Sequence, residues 1–443
     1  MKPLLLSVAT LLLSLLPSPA TATASDSSFV KKGFSFGILP AISFDSDLGF
    51  QYGVLSNLYW YGDGSRYPAY DHSLYVEWSR HVAGTMLCRL YYDSPMALQQ
   101  LSPTLRLTTD FTLLRDLLMD FFGFNGHQSV FNSHFVNNDN PLYRSSAFYA
   151  HHRRMIRLMA GVRHDFPNSR LYSQFGITAF NFLCGPVRRN KLQHHVPDTP
   201  SLYDLYIQWG VIPHDEATGG TNTFFRLGIG YDCRDNEAFP THGFTSELLL
   251  AAEPPLFTSH PKGFLRLTVN HQHYFPLGTP NLVLALRLTA QNRLAGHVPF
   301  YLLPHITTNY LRSSSSQGLG GSKTLRGIMR NRIVADGIAM ANIELRWLFS
   351  RFQLLNQQWA LGINAFSDMG ITTQPYHVDT SHVPDDQRPL FFRHSPHDVL
   401  HTSLGAGLKV HMNANFIVSA DYGHALRSDD GSAGFYIKMN YLF

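Results

Sequence analysis

Cysteine and charge are both scarce in this chain. The three cysteines, Cys88, Cys184 and Cys233, are odd in number and scattered in spacing, so neither a disulfide framework nor a zinc site follows from them. Charged residues make up 15% of the 443, and the formal net charge is +4, which gives no bias towards nucleic acid. Beyond the first two dozen residues there is no uninterrupted apolar run of about 18, so no helix is read as crossing a membrane. A G-x-S-x-G nucleophile motif, a phosphate loop and a dinucleotide fingerprint are all missing, and Ser432 and the serine run 313–316 have no identifiable catalytic partners. These absences point away from an enzyme and imply no cofactor and no resident metal.

Aromatic residues are what the chain has in excess: 21 Tyr and 32 Phe bring the aromatic share to 13%. Such a composition suits a protein that presents rings and aliphatic chains to something other than water. The N-terminus reads as a secretory signal over residues 1–24. Lys2 supplies the positive start, 4–16 is an apolar run broken only by Ser and Thr, and Ala20-Thr-Ala22 or Ala22-Thr-Ala24 offers a small-residue cleavage site. With no cysteine near that cut, lipid attachment is not indicated. Residues 25–33 then form a short segment ahead of a domain spanning 34–443.

Within that domain, segments of roughly 10 to 14 residues alternate between apolar and polar positions. Leu282, Leu284, Leu286, Leu288 and Ala290 share one face, opposed by Val283, Ala285, Arg287, Thr289, Gln291 and Arg293. Leu265, Leu267 and Val269 alternate with Arg266, Thr268 and Asn270. Ile343, Leu345, Trp347 and Phe349 oppose Glu344, Arg346 and Leu348. Soluble sandwich strands are usually about five or six residues long, whereas a tilted crossing of a bilayer needs about ten. The expected fold is therefore all-β: a transmembrane outer-membrane barrel of about 16 antiparallel strands in the bacterial outer membrane.

The expected strands are 34–44, 50–61, 71–81, 84–93, 103–112, 148–162, 171–183, 223–233, 244–253, 263–275, 282–295, 338–350, 357–370, 398–411, 415–426 and 433–443. Long polar segments at 113–147, 184–222, 296–337 and 371–397 should lie outside the cell. Short turns such as 278–281 and 413–415 should lie in the periplasm. By alternation the short turn 429–431 falls on the outer side. Phe435, Ile437, Met439, Tyr441 and Phe443 are expected on one apolar face, with Tyr441 and Phe443 closing it as a C-terminal signal for the barrel-assembly machinery. The Gly-rich, polar stretch 318–327 stands out among these strands, because glycines allow close backbone approach and its single Arg326 could meet buried carboxylates.

Three stretches together resemble the bacterial surface antigen family, the superfamily of outer-membrane barrel-assembly factors and two-partner-secretion translocases. The first is a strand–turn signature carrying Asp232, Arg234, Asp235, Asn236, Pro240 and Gly243, similar to D-x-R-D-N-x-x-F-P-x-x-G. The second is the loop ending Leu325-Arg326-Gly327, with Ile328 in place of the usual aromatic, followed by Glu344-Leu345-Arg346. The third is Phe366-Ser-Asp368-Met-Gly370. The resemblance implies a loop folded into the lumen, with Arg326 meeting Glu344 and Asp368 on the wall. It also implies assembly, insertion or translocation of a client polypeptide or the help of a periplasmic partner. The alternative is a narrow solute channel or a structural outer-membrane protein. Family members that handle polypeptides usually carry POTRA domains before the barrel. The span between Ala24 and Phe34 has no room for one, so a barrel alone is expected here.

Partners outside the protein are outer-membrane lipid and lipopolysaccharide, with no nucleic acid. Arg153-Arg154 and Arg188-Arg189 could meet lipopolysaccharide phosphates, and ordinary lumen or loop charges are the preferred reading. Histidine pairs at 151–152 and 194–195, and the spaced pair His271 and His273, read as solvated or aromatic-belt residues, since no third metal ligand stands at a recognisable spacing.

Overall fold

The computed structural model describes residues 30–443 apart from 68, 193–196, 238, 260–261, 307–317, 356, 396 and 413–415. The signal segment 1–24, the serine run 313–316, the turn 413–415 and the pair at 194–195 therefore lie outside the described residues. The wall begins with β1 (Phe34–Pro40), β2 (Ser43–Asp45), β3 (Gly49–Trp60), β4 (His72–His81), β5 (Met86–Ser94) and β6 (Leu105–Asp120). It continues through β7 (Ala150–Asp165), β8 (Leu171–Gly185), β9 (Gly219–Asp232), β10 (Gly243–Glu253), β11 (Phe264–Pro276) and β12 (Leu282–Gly296). The last part is β13 (Gly337–Leu354), β14 (Gln357–Gln374), β15 (His401–Met412), β16 (Phe416–Ala425) and β17 (Ala433–Met439).

Each strand from β3 onward pairs antiparallel with its successor, and β17 returns to β2 to close the ring. Both β1 and β2 lie along β3, so they are two halves of one wall strand interrupted at Ala41 and Ile42, and the closed barrel has sixteen wall positions. The expected strands map onto these sixteen, with differences at their ends. The strand expected at 103–112 runs on to Asp120, and the one expected from 223 begins at Gly219.

The alternation has a reversed sense of burial. Ile343, Leu345, Trp347 and Phe349 are exposed, while Glu344, Arg346 and Leu348 between them are buried. On β12 the buried set is Val283, Ala285, Arg287, Thr289 and Gln291; on β11 it is Arg266, Thr268, Asn270 and Gln272. Polar groups inside and aliphatic groups outside is the arrangement a strand adopts when lipid surrounds the sheet and the lumen holds its polar edges. Among the described residues no helix is long and apolar enough to cross a membrane. The crossing belongs to the strands.

The four long connections, after β6, β8, β12 and β14, all leave from one end of the barrel, and β1 starts and β17 finishes at the other. The short turn after β16 shares the long-loop end, where the Met329 amide donates to the Asp430 carbonyl at 2.9 Å. These long segments are not simply polar. Their rings build a dome over the mouth: Phe121 against Tyr206 at 5.3 Å, Phe124 against Tyr376 at 4.6 Å and Trp209 against Phe391 at 5.5 Å. A short helix, α1 (Leu202–Gln208), sits in this dome and is held by a capping box between Ser201 and Asp204.

The C-terminal segment corrects the expectation of one apolar face through Phe443. Phe435 and Met439 are exposed, but strand pairing stops at Met439 and Tyr441 is buried. Asn440 adopts the left-handed conformation, φ 65°, which bends the chain out of the sheet. Its amide donates to the Ile417 carbonyl at 2.9 Å, and its own carbonyl accepts from Ser419 Oγ at 2.6 Å. Tyr441 and Phe443 then turn towards the lumen. We expect Leu345→Arg, which places a cation on the lipid face mid-strand, to destabilise the barrel by about 2–4 kcal/mol. Guanidinium unfolding from vesicles measures this, and Leu345→Phe serves as the neutral comparison.

Candidate functional site

The segment after residue 317 forms a narrow hairpin, closed by reciprocal backbone bonds between Leu319 and Ile333 at 3.0 and 3.1 Å. Thr324 Oγ1 ties its interior by bonding to the amide of Gly320 and the carbonyls of Gly318 and Gly320. Ile328 lies buried with Leu319, Leu325, Ile333 and Met340, so an aliphatic cluster fills the place where an aromatic was expected from the resemblance.

At the tip, Arg326 has no exposed surface. Its Nε and Nη2 grip Asp368 on β14 at 2.8 and 3.0 Å, and its backbone amide donates to the same carboxylate at 3.0 Å. Nη1 lies 2.6 Å from Glu344 on β13 and 3.3 Å from Asp421 on β16. The guanidinium also stacks over Phe366, 3.5 Å from the ring centroid. Asn342 bridges loop and wall, donating to both the Thr324 carbonyl and Asp368 at 2.7 Å. Asp421 is in turn bonded by Lys409 and lies 3.7 Å from Lys438. A buried charge of this kind is tolerable only when it is densely paired, and this one has three carboxylates around it.

Gly327 shows why the tip needs glycine. Its φ is +90°, and a Cβ there would lie 2.5 Å from the backbone of Gly423 on β16. The two glycines let the loop rest against the wall main chain. The Gly327 amide then donates to the Tyr436 hydroxyl at 3.1 Å, and Lys438 donates to the Ser322 carbonyl at 3.0 Å, so the loop also holds β17. On its far side Arg330 reaches across to β6, 2.5 Å from Asp120 and 3.6 Å from Asp116.

The strand–turn residues sit at the short-turn end and do not touch Arg326. Arg234 closes onto Asp232 through Nε at 2.9 Å and Nη2 at 2.7 Å. Asp235 accepts from the Thr241 and His242 amides at 2.9 and 3.2 Å, and Asn236 accepts from the Phe239 amide at 3.0 Å. Pro240 is buried in the turn, and Gly243, φ +91°, is where a Cβ would collide with the Cys233 carbonyl at 2.3 Å.

A column of side chains nevertheless links the two sets. Glu344 holds Arg346 at 2.7 Å, and Arg346 lies 4.3 Å from the Tyr441 ring and donates to the Phe443 carbonyl at 2.8 Å. Tyr441 meets His411 at 3.1 Å and Phe239 of the turn at 5.3 Å. The sequence pattern sets Tyr441 and Phe443 on the apolar face of the last strand, whereas Tyr441 is buried, and the structure adds Asp421 to the site. The signal for Asp421 was available: a lone acid among small residues on the face of β16 shared with Ser419 and Gly423. The histidine pair 271 and 273 lies on the outer surface beside Phe244 and Phe275, as an aromatic belt.

A closed antiparallel barrel with a polar interior and a lipid-facing apolar band defines a bacterial outer-membrane protein. The Omp85 superfamily domain matches residues 122–443, and the chain belongs to that superfamily. Among solved structures it resembles BamA from Haemophilus ducreyi lacking POTRA domains 1–3, with TM-score 0.55 and 14% identity over 93% of this chain and 70% of that one. CdiB from Acinetobacter baumannii aligns with TM-score 0.43 and 11% identity over 92% of this chain and 66% of that one. No curated protein sequence matches.

Arg326→Ala would leave Asp368, Glu344 and Asp421 facing one another. We expect it to cost about 3–5 kcal/mol of barrel stability and to render 318–336 sensitive to protease. Unfolding of the reconstituted barrel and limited proteolysis read these two effects, and Arg326→Lys should rescue them only in part, since an ammonium cannot serve the bidentate contact.

Proposed function

We propose that this barrel inserts or translocates a client polypeptide by opening sideways at the junction of its first and last strands. The observation that carries this reading is the shortness of that junction. Elsewhere ladders are long: β13 and β14 pair from Gly337 opposite Gln374 to Leu354 opposite Gln357. Between β17 and β2 the ladder comprises Tyr436 opposite Asp45 and Ile437 opposite Phe44, supplemented by Ser46 bonding to Phe435. Among the described residues no ladder joins Phe34–Pro40 to β17, and Phe34, Phe36 and Ile38 on that segment are exposed. An unpaired strand edge is a template on which another strand can add. On this reading the inward loop is the clamp, since it holds β17 through Gly327 and Lys438 and β6 through Arg330. A periplasmic partner would deliver the client, and the action is mechanical, without bond chemistry.

A second reading, a narrow solute channel, is favoured by a lumen cavity of about 330 Å³ whose lining includes Arg89, Asp110, Arg157, Arg226 and Glu247. Two experiments separate them. With the native cysteines replaced by serine, Phe44→Cys/Ile437→Cys should form a disulfide across the junction. We expect cross-linked barrels to lose client insertion into liposomes and to regain it on reduction. Undiminished insertion with the junction locked would sink the lateral route. Deleting 313–335 should raise single-channel conductance severalfold if the loop blocks the lumen, and unchanged conductance would remove the loop from that role.

A further inference from the structure

Outward-facing cations are costly in a lipid-exposed wall, and this barrel gathers several of them at one place. Arg80 on β4 lies opposite Met86 on β5, Met86 opposite Arg115 on β6, and Arg115 opposite Arg154 on β7, so three arginines share one row of the sheet. The row faces outward. Its members alternate with the buried residues Ser79, Leu114, Asp116, Arg153 and Met155, and Arg153 points inward to Asp116 at 2.8 Å. Two residues nearer the barrel's middle, Trp78, Leu113 and Ile156 occupy the same face. The arginines therefore stand at the upper margin of the apolar band, on the long-loop end.

Direct cross-strand partners have Cβ atoms about 4.5–5.5 Å apart, and like charges so placed repel unless something anionic lies between them. Among the described residues, the nearby carboxylate of Asp116 is turned inward to Arg153. Among the described residues none of Arg80, Arg115 and Arg154 joins an ion pair, and Nε of Arg115, Nε of Arg154 and Nε2 of the neighbouring His152 are covered atoms with no hydrogen-bond partner. His152 is 3% exposed. The loop after β8 adds further positive charge, with exposed Arg188 and Lys191 close enough, like Arg115, to act on His152 electrostatically. Arg189 in the same loop is already taken up by Asp198.

We infer that Arg80, Arg115 and Arg154, with His152, Arg188 and Lys191 above them, form a binding site for a phosphate group of an outer-leaflet glycolipid. Guanidinium groups match phosphate oxygens in bidentate fashion, and a phosphate at the boundary of hydrocarbon and headgroup sits at the height of this row. The acyl chains of the same lipid would lie along Trp78, Leu113 and Ile156. Acidic segments of a protein partner would meet the same charges, but the row borders the lipid band, which favours a lipid. The inference rests on the outer-membrane placement of the barrel and is independent of any insertase activity.

The test is native mass spectrometry of the full chain in detergent, titrated with bisphosphorylated lipid A, with its dephosphorylated counterpart and with sodium phosphate. Two variants are compared: Arg115→Gln/Arg154→Gln, and Arg80→Gln/Arg188→Gln/Lys191→Gln, whose side chains are more open and whose folding is less at stake. Heat-modifiable gel migration reports that each remains a barrel. Bisphosphorylated lipid A is expected to bind wild type roughly tenfold or more tightly than either variant. The dephosphorylated lipid should bind all three weakly and alike, and sodium phosphate should not displace the lipid. Equal affinity of wild type and the folded variants, or equal binding of both lipids, overturns the site. Displacement by sodium phosphate overturns the lipid as its occupant.

Discussion

A guanidinium with no access to water sets the terms for this barrel. Arg326 stands among Asp368, Glu344 and Asp421, which come from three different wall strands, and it reaches them from a loop rooted between β12 and β13. Asp368 has Arg326 as its cation, Glu344 is shared with Arg346 and Asp421 with Lys409, and a guanidinium so buried is tolerable only with such partners. The interaction thus couples the curvature of the wall from β13 to β16 to the presence of the loop. The Gly327–Gly423 approach follows from it, because only bare backbone on both sides lets the tip come close enough.

From that centre the column runs down through Glu344 and Arg346 to Tyr441 and the turn containing Phe239. Motifs that lie far apart in the sequence therefore report one physical unit. The loop tip, the strand after it, the C-terminal tail and the strand–turn signature share a continuous set of contacts. The tail enters this unit through a single backbone decision at Asn440, whose left-handed conformation diverts Tyr441 from lipid to lumen.

Much of the wall was legible in the sequence because a pleated strand between lipid and a polar lumen must alternate. Leu284 and Leu286 against Ala285 and Arg287 are enough to give orientation as well as strand type. The Arg326 partners on β13 and β14 were legible from the family resemblance and the same alternation. The dome was not. Phe121, Tyr206 with Trp209, and Phe391 come from three separate long loops with no shared periodicity, and only the closed ring brings those loops together. The tail was misread for a similar reason: its pattern of apolar residues continues past Met439, but parity along a strand holds only while each residue stays extended. The outward row of arginines was in view as Arg153-Arg154, yet a dipeptide always sends one side chain each way. It takes the register with β5 and β6 to show that Arg154 shares its side with Arg115 and Arg80.

The brevity of the β17–β2 ladder has a consequence in populations. At about 1 kcal/mol net per hydrogen bond, two to four such bonds would leave a bare junction open for a few per cent to a tenth of a per cent of the time. That is a standing opening in the wall at the level of the hydrocarbon. On the proposed reading the closed fraction is governed by the hairpin that spans the lumen, with Arg326, Gly327 and Lys438 at one end and Arg330 at the other. The barrel's permeability would then be tuned by the grip of a loop, with the strand pairing itself left weak enough to exchange partners.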